Sequence, residues 1–279
     1  MKVPGKLVIL GEYAVLDGGG ALVAAVNRGV ACEVRPGEGL EVPGTDDRFV
    51  RAALGWDGLA RWGQATKAWY RFSDWNPPAL TTKAGFGGSA AAVVAARQAA
   101  GLPLSDAYAI HRFVQGGGSG IDVFASLNGG CRSFPSGMLA ELPPMIAVWS
   151  GQSASTGPRV ERYRAWAGRE AFVERSNEIL EQFSMDPFAA LSQAYANLCA
   201  MAMAAGLDYD TPAHRDIHRL ACAFGGSAKP SGAGGGDVAV ALLPDPAALA
   251  AFCRACETGG HLCIPVEIVP PSSWPVICP

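Results

Sequence analysis

Apolar and polar positions alternate with different spacings along the chain, and each spacing predicts a kind of element. Apolar residues dominate 3–10 and 21–34, on either side of a turn at 17–20, which predicts two strands joined as a hairpin. The Ala-rich run 89–100 predicts a helix that Ser89 caps. Further strands are predicted at 145–150, 238–243 and 262–269, and further helices at 104–115, 121–127, 159–183, 187–205, 212–224 and 246–257.

The order of these elements indicates an α+β fold. Strands and helices mix without a regular βαβ alternation, which disfavours a doubly wound parallel sheet. The least regular stretch is 36–80, with a short helical pattern around 46–72. Pro143 and Pro144 mark the best boundary, so we expect two halves packed together, 1–143 and 144–279.

Composition and charge narrow the class of protein. With 279 residues, 49% of them hydrophobic and 17% charged, the chain is neither disordered nor short of a core. The net charge of -3 provides no positive electrostatic field that would hold the phosphate backbone of a nucleic acid, so we expect no nucleic-acid partner. Since no apolar run approaches about 18 residues, and Lys6 and Glu12 interrupt the start, we expect neither a membrane span nor a signal peptide.

The eight scattered cysteines favour reduced thiols and a cytoplasmic protein. Cys253 and Cys256 form a CxxC pair, for which helix packing is favoured over zinc. His214 and His218 share a helical face without an apparent third ligand, and neither they nor His111 and His261 suggest a chemical role.

Many of the 35 glycines lie in three clusters beside reactive residues. The first contains Gly85, Gly87 and Gly88 and runs into the predicted helix. Unobstructed backbone N–H groups and a helix N-terminus suit an anionic phosphate, although a glycine turn before a helix is also common. Ser89 then either caps the helix or offers its hydroxyl to a metal–phosphate pair.

The other two clusters precede a short helix and a strand. Glycines 116–118 and 120 lead to Asp122, either a first-turn aspartate favoured by the helix dipole or a carboxylate near a reacting hydroxyl. The third cluster, 229–237, begins with Lys229 and continues with glycines that would be unfavourable in a core turn, so we expect a ligand to approach this loop closely. We also expect Lys229 to take part in phosphate handling. Neither the Walker pattern nor a dinucleotide-binding pattern is present.

Three motifs, PGKLVILGEYAVL at 4–16, GFGGSAA at 85–91 and KPSGAGGGD at 229–237, resemble the three signatures of the GHMP kinases in order and spacing. The resemblance implies a two-domain α+β fold, with an N-terminal ribosomal-protein-S5-like domain and a C-terminal ferredoxin-like domain. Within the superfamily, Gly11-Glu12-Tyr13, Asp237 and the stretches 118–123 and 149–156 are most similar to phosphomevalonate kinases.

The resemblance also implies roles for individual residues. Asp122 matches the catalytic aspartate, Lys6 the lysine that pairs with it, and Ser89 a serine near Mg²⁺. Positions that match nucleotide-binding glycines are Gly85, Gly87, Gly88, Gly232, Gly234 and Gly235. The candidate substrate-binding residues are Lys83, Ser119, Tyr13 and Ser231.

The implied activity is the phosphorylation of mevalonate 5-phosphate to the diphosphate, with ATP and Mg²⁺ as cofactors and a small molecule as the partner. The alternatives are a kinase of mevalonate or another small alcohol or phosphate, a decarboxylase of the same fold, and a non-catalytic ligand sensor. Two departures from the family pattern bear on this reading. Gly88 replaces the usual first serine of the second motif, and the shortened stretch 36–82 contains no recognisable adenine-binding residue. The sequence does not predict an oligomeric state.

Overall fold

The computed structural model describes residues 1–74, 84–154, 157–272 and 275–279. Its strands are β1 Lys2–Leu10, β2 Ala21–Arg35, β3 Gly39–Glu41, β4 Trp69–Asp74, β5 Cys131–Phe134, β6 Met145–Trp149, β7 Ser227–Pro230, β8 Val238–Leu242 and β9 Leu262–Pro265. Its helices are α1 Arg48–Leu54, α2 Gly88–Ala99, α3 Ala107–Gln115, α4 Ile121–Asn128, α5 Gly157–Ala165, α6 Arg169–Gln182, α7 Pro187–Ala205, α8 Pro212–Ala223 and α9 Pro246–Thr258.

The first sheet is organised by β2, the longest strand. β2 pairs antiparallel with β1 along much of its length, with β5 at its start and with β4 at its end, and β3 pairs parallel with β4. A β-bulge after Pro4 brings Gly5 against the backbone of the second glycine-rich motif, where a Cβ would lie 2.2 Å from the Phe86 carbonyl oxygen. The glycine therefore permits a bond from the Lys6 N–H to that oxygen, which is 2.8 Å long.

The second sheet is antiparallel, in the order β7-β8-β6-β9. Every residue of β8 is buried, because helices and the first half of the chain cover both faces. After β9 the chain returns to the first half, where Asn128 exchanges two side-chain hydrogen bonds with the backbone of Ile277, of 2.9 and 2.8 Å. The described architecture is α+β, as expected, and the division at 143/144 stays a prediction.

Several predicted boundaries are wrong. The helix predicted over 159–183 is two helices, α5 and α6, since the chain bends at 166–168, where the Trp166 ring packs on Gly168. The connection between β1 and β2 is longer than a tight turn, because a 3-10 helix, Ala14–Asp17, comes before the glycines of the turn predicted at 17–20. β5 and β7 lack strand patterns of their own, and the helical pattern at 46–72 is α1 followed by β4.

Among the described residues, α7 is long and apolar enough to cross a membrane by length and composition. Ser192, Gln193 and Asn197 interrupt its apolar residues, and the expectation that the chain has no membrane span stays a prediction. The physical reason for the composition lies in packing, because Leu191, Ala194 and Leu198 of α7 are buried in two core clusters. Small uncharged residues serve such a helix as well as they serve a membrane span.

Candidate active site

The side chain of Lys6 lies where the three glycine-rich motifs meet. Its Nζ donates a 2.9 Å hydrogen bond to the carbonyl oxygen of Gly85 and lies 3.9 Å from Oδ1 of Asp122. A Cβ on Gly232 of the third motif would be 3.7 Å from the same nitrogen. β1 therefore presents one cation, 7% exposed, to residues that are distant in sequence.

Asp122 belongs to the first turn of α4, directly after the second glycine cluster. Gly120, in the left-handed conformation, precedes the helix, so the carboxylate sits at the positive end of the helix dipole. Gly87 has a φ of +74°, and a Cβ there would lie 3.6 Å from the Cβ of Asp122. The carboxylate is therefore adjacent to the loop that begins α2, and its side chain is 31% exposed.

The start of α2 differs in detail from the prediction. The N-cap is Gly87 rather than Ser89, and the helix begins at Gly88. A Cβ on Gly88 would meet nothing within 4 Å, so this position borders open space. The Ser89 hydroxyl lies 3.1 Å from Nε2 of His111, which makes it a partner of an imidazole rather than a cap.

The third motif turns inward more than expected. Gly234 and Gly235 are buried, with left-handed φ values of +70° and +73°, and the atoms that approach them belong to Tyr209 and Arg159 of the protein itself. Gly232 and Ala233, by contrast, line an open pocket. We expected a ligand to approach these glycines closely, but at Gly234 and Gly235 the groups that do so belong to the protein itself.

Lys229 is fully buried and forms an ion pair with Glu12. Its Nζ also donates to the Pro230 carbonyl oxygen at 3.0 Å, and the Gly232 N–H donates to Glu12 Oε1 at 3.3 Å. Burial lowers the pKa of Lys229, against the opposing effect of the Glu12 carboxylate. The expected part of Lys229 in phosphate handling therefore finds no support in the position of its side chain, because the ammonium group is buried and links the third motif to Glu12 of the first.

A pocket of about 140 Å³ opens beside Lys6 and Asp122. Tyr13 lines it and donates a 2.7 Å hydrogen bond to the Ala233 carbonyl oxygen, and burial raises the pKa of this phenol. Ser119 also lines the pocket, and its hydroxyl accepts a bond from the Ile121 N–H at 3.4 Å. The remaining lining residues are Val8, Glu12, Val15, Leu16, His111, Gln115, Gly118, Gly120, Ile121, Val160, Gly232 and Ala233.

Of the other two candidate substrate residues, the structure describes one. The Ser231 hydroxyl accepts a 2.8 Å hydrogen bond from the Val8 N–H and is buried behind the pocket. Lys83 lies outside the described residues.

Sequence reasoning missed two side chains. The ion pair of Glu12 with Lys229 was not predicted, although both residues lie in the motifs, and this was the available signal. His111 lies on α3, outside the three motifs, and no sequence pattern indicated a role for it. No group of three or more His, Cys, Asp or Glu side chains able to hold a metal occurs in the part of the chain that the structure describes, including the region of Cys253 and Cys256.

Comparisons with known proteins agree with this architecture. No family model matches the chain. A mevalonate kinase from Archaeoglobus fulgidus is 32% identical over 183 residues, which are 58% of this chain and 61% of that enzyme. The match thus spans less than two thirds of the relative's length.

Solved structures share the fold over nearly the whole chain. A protein from Listeria innocua superposes with a TM-score of 0.84 at 23% identity and covers 98% of this chain and 99% of its own. A Streptococcus pneumoniae phosphomevalonate kinase in complex with phosphomevalonate and AMPPNP has a TM-score of 0.76 at 18% identity and covers 96% and 99%. The three motifs of the chain resemble those of the GHMP kinases, its sequence is similar to part of a mevalonate kinase, and its fold is the one these solved structures share.

Proposed function

We propose that this protein is an ATP- and Mg²⁺-dependent kinase of a small molecule, with mevalonate 5-phosphate as the acceptor. The observation that carries the proposal is the position of Lys6 beside Asp122, at the junction of three glycine-rich segments and at the edge of a pocket. Phosphoryl transfer depends mainly on positioning and on neutralising charge, and this arrangement supplies both.

In this proposal Asp122 acts on the attacking oxygen. If the acceptor is an alcohol, the carboxylate takes the hydroxyl proton as general base. If the acceptor is a phosphate, the attacking oxygen is already anionic, and Asp122 orients it. Lys6 holds the loop through the Gly85 carbonyl oxygen and places its positive charge next to both the carboxylate and the transferring group.

The nucleotide phosphates would lie against the start of α2. There Gly85, Gly87 and Gly88 supply backbone without side chains, and Gly88 borders open space. Gly232 would complete the opposite wall, while Gly234 and Gly235 hold that loop in shape against Tyr209 and Arg159. The substrate pocket would include Tyr13 and Ser119, with Lys83 and Ser231 as the remaining substrate candidates.

The residues present are compatible with Mg²⁺. In kinases this ion takes most of its ligands from phosphates and water and needs few from the protein, so the absence of a carboxylate cluster among the described residues is no obstacle. Ser89 would hold it. When bound, Mg²⁺ neutralises charge that develops on the phosphate oxygens.

The acceptor has two candidates. Gly11-Glu12-Tyr13 and Asp237 are similar to the corresponding positions of phosphomevalonate kinases, which supports mevalonate 5-phosphate. The Archaeoglobus fulgidus relative is a mevalonate kinase, which supports mevalonate.

The deciding experiment measures ADP release with ATP, Mg²⁺ and each acceptor separately, followed by ³¹P NMR of the product. A diphosphate signal with mevalonate 5-phosphate, formed faster than any product from mevalonate, is the expected result. Faster turnover of mevalonate would refute the proposed acceptor but keep the kinase. Turnover of neither, in a protein that still binds an ATP analogue, would favour a ligand sensor, and CO₂ release from mevalonate diphosphate would identify a decarboxylase.

A further inference from the structure

Asp237, the last residue of the third motif, has a backbone conformation that residues other than glycine rarely adopt. Its φ is +59°, in the left-handed region, where a Cβ is strained and where Asp and Asn are penalised least. Strain of this kind persists only where the surrounding structure fixes the residue, and it concentrates at functional sites. Contacts on two sides of Asp237 supply that constraint.

One set of contacts ties Asp237 to the segment 150–154, which follows β6. The Asp237 N–H donates to the Gln152 carbonyl oxygen at 2.8 Å, and the Asp237 carbonyl oxygen accepts from the Ser150 N–H at 3.1 Å. In the side chain, Oδ1 accepts a 3.1 Å hydrogen bond from the Ala154 N–H. The same short segment therefore fixes both the main chain and the carboxylate of this residue.

A second set of contacts places Asp237 against the second motif. A Cβ on Gly85 would lie 2.7 Å from both the Cβ and Oδ2 of Asp237, so the aspartate occupies the space that a side chain at position 85 would need. At the next residue, the Val238 N–H donates to the Ala84 carbonyl oxygen at 3.2 Å. Asp237 thus packs against the Gly85 backbone where the second and third motifs are joined.

Gly85 is also the residue that anchors Lys6. Its carbonyl oxygen accepts the 2.9 Å bond from Lys6 Nζ, and the same nitrogen lies 3.9 Å from Oδ1 of Asp122. A displacement of the Gly85 backbone would therefore move the ammonium group relative to the carboxylate. Reacting groups need such support, since a misplacement of about 1 Å can lower a rate about 10²-fold.

We propose that Asp237 is a positioning residue that keeps the Lys6 ammonium group beside Asp122, acting through the backbone of the second motif. The inference rests on the proposed function, because phosphoryl transfer is the step that this placement serves. The role requires the shape and the hydrogen bonds of Asp237 rather than its charge. Asn has the same shape, tolerates the left-handed region and keeps an oxygen for the Ala154 N–H, so Asn is expected to substitute for it.

The kinetic test compares Asp237→Asn with Asp237→Gly, measuring ADP release while ATP and each acceptor are varied. Asp237→Gly is expected to fold with an almost unchanged urea midpoint, because the relief of backbone strain offsets the lost hydrogen bond. We expect this variant to lower kcat about tenfold or more while each KM changes less than about threefold. Asp237→Asn is expected to stay within about threefold of the wild type in kcat.

Ala60→Gly is the matched control. Ala60 also has a positive φ, +45°, but it is exposed and does not line the pocket. Its replacement relieves the same kind of backbone strain, so we expect kcat to stay unchanged.

A second measurement follows Lys6 itself and does not depend on turnover. The chain has five lysines, so ¹⁵N NMR of protein labelled at the lysine Nζ gives few ammonium signals, and Lys6→Met identifies the signal of Lys6. We expect that signal to shift in Asp237→Gly and to keep its position in Asp237→Asn and Ala60→Gly.

Three results would overturn the assignment: a kcat of Asp237→Gly within twofold of the wild type, an unshifted Lys6 signal in that variant, or an Asp237→Asn as slow as Asp237→Gly. A wild type that phosphorylates neither acceptor would instead refute the proposed function. In that case the Lys6 signal still decides whether Asp237 positions the ammonium group.

Discussion

Removing one member of the Glu12–Lys229 pair is expected to destabilise the protein strongly. The Lys229 side chain is fully buried and that of Glu12 is 2% exposed, so Lys229→Met leaves a carboxylate in the interior, where the described residues provide one other hydrogen-bond donor, the Gly232 N–H. Breaking a buried ion pair in this way costs about 3–5 kcal/mol. Glu12→Gln is expected to cost a similar amount, because it leaves the buried ammonium without its counter-charge.

The double variant distinguishes a coupled pair from two independent defects. Glu12→Gln combined with Lys229→Met removes both charges, so we expect it to be more stable than either single variant. Urea unfolding gives the free energy of unfolding, and a loss of about 3 kcal/mol lowers the midpoint by about 1 M if m is about 3 kcal/mol/M. The exposed pair Lys67–Glu38 is the matched control, and Lys67→Met is expected to leave the midpoint almost unchanged.

Two results would refute this reasoning. Single variants that lose less than about 1 kcal/mol would mean that water or rearrangement satisfies the remaining charge. A double variant whose loss equals the sum of the two single losses would mean that the charges are not coupled.

Three further predictions concern the site and its support. Asp122→Asn is expected to lower kcat, measured as ADP release, by about 10²-fold or more, and to change the affinity for an ATP analogue, measured by calorimetry, only a little. An unchanged kcat would show that Asp122 takes no part in the reaction. In Gly234→Ala the new Cβ would lie 2.6 Å from the Tyr209 carbonyl oxygen at a φ of +70°, so we expect the free energy of unfolding, measured with urea, to fall by about 1–3 kcal/mol. Gly88→Ala places its Cβ in open space and is expected to lower the free energy of unfolding much less. Burial lowers the pKa of His214 to about 4, so the unfolded state binds the proton more tightly and stability is expected to fall by up to about 3 kcal/mol as pH drops from about 6.5 to 4. In His214→Leu that part of the pH dependence should vanish; an unaltered slope would place it in other groups.

Sequence reasoning recovered the elements whose pattern is local. β1, β2, α2 and α7 carry long apolar runs or repeated helix formers, so a short window of residues determines them. The break between α5 and α6 escaped notice, because both sides have helical periodicity and the bend depends on a local contact between Trp166 and Gly168. β5 and β7 are short, and pairing with neighbouring strands defines them.

The candidate site divides in the same way. The sequence by itself determined the motifs and identified Lys6 and Asp122 as candidate site residues, since each stands in a recognisable sequence context. Only the tertiary structure decided that Lys229 pairs with Glu12 across 217 positions, that Gly234 and Gly235 face the interior, and that His111 bonds Ser89. The physical reason is that a side chain's partner depends on which elements pack together, and residues far apart in the chain leave no local pattern of that contact.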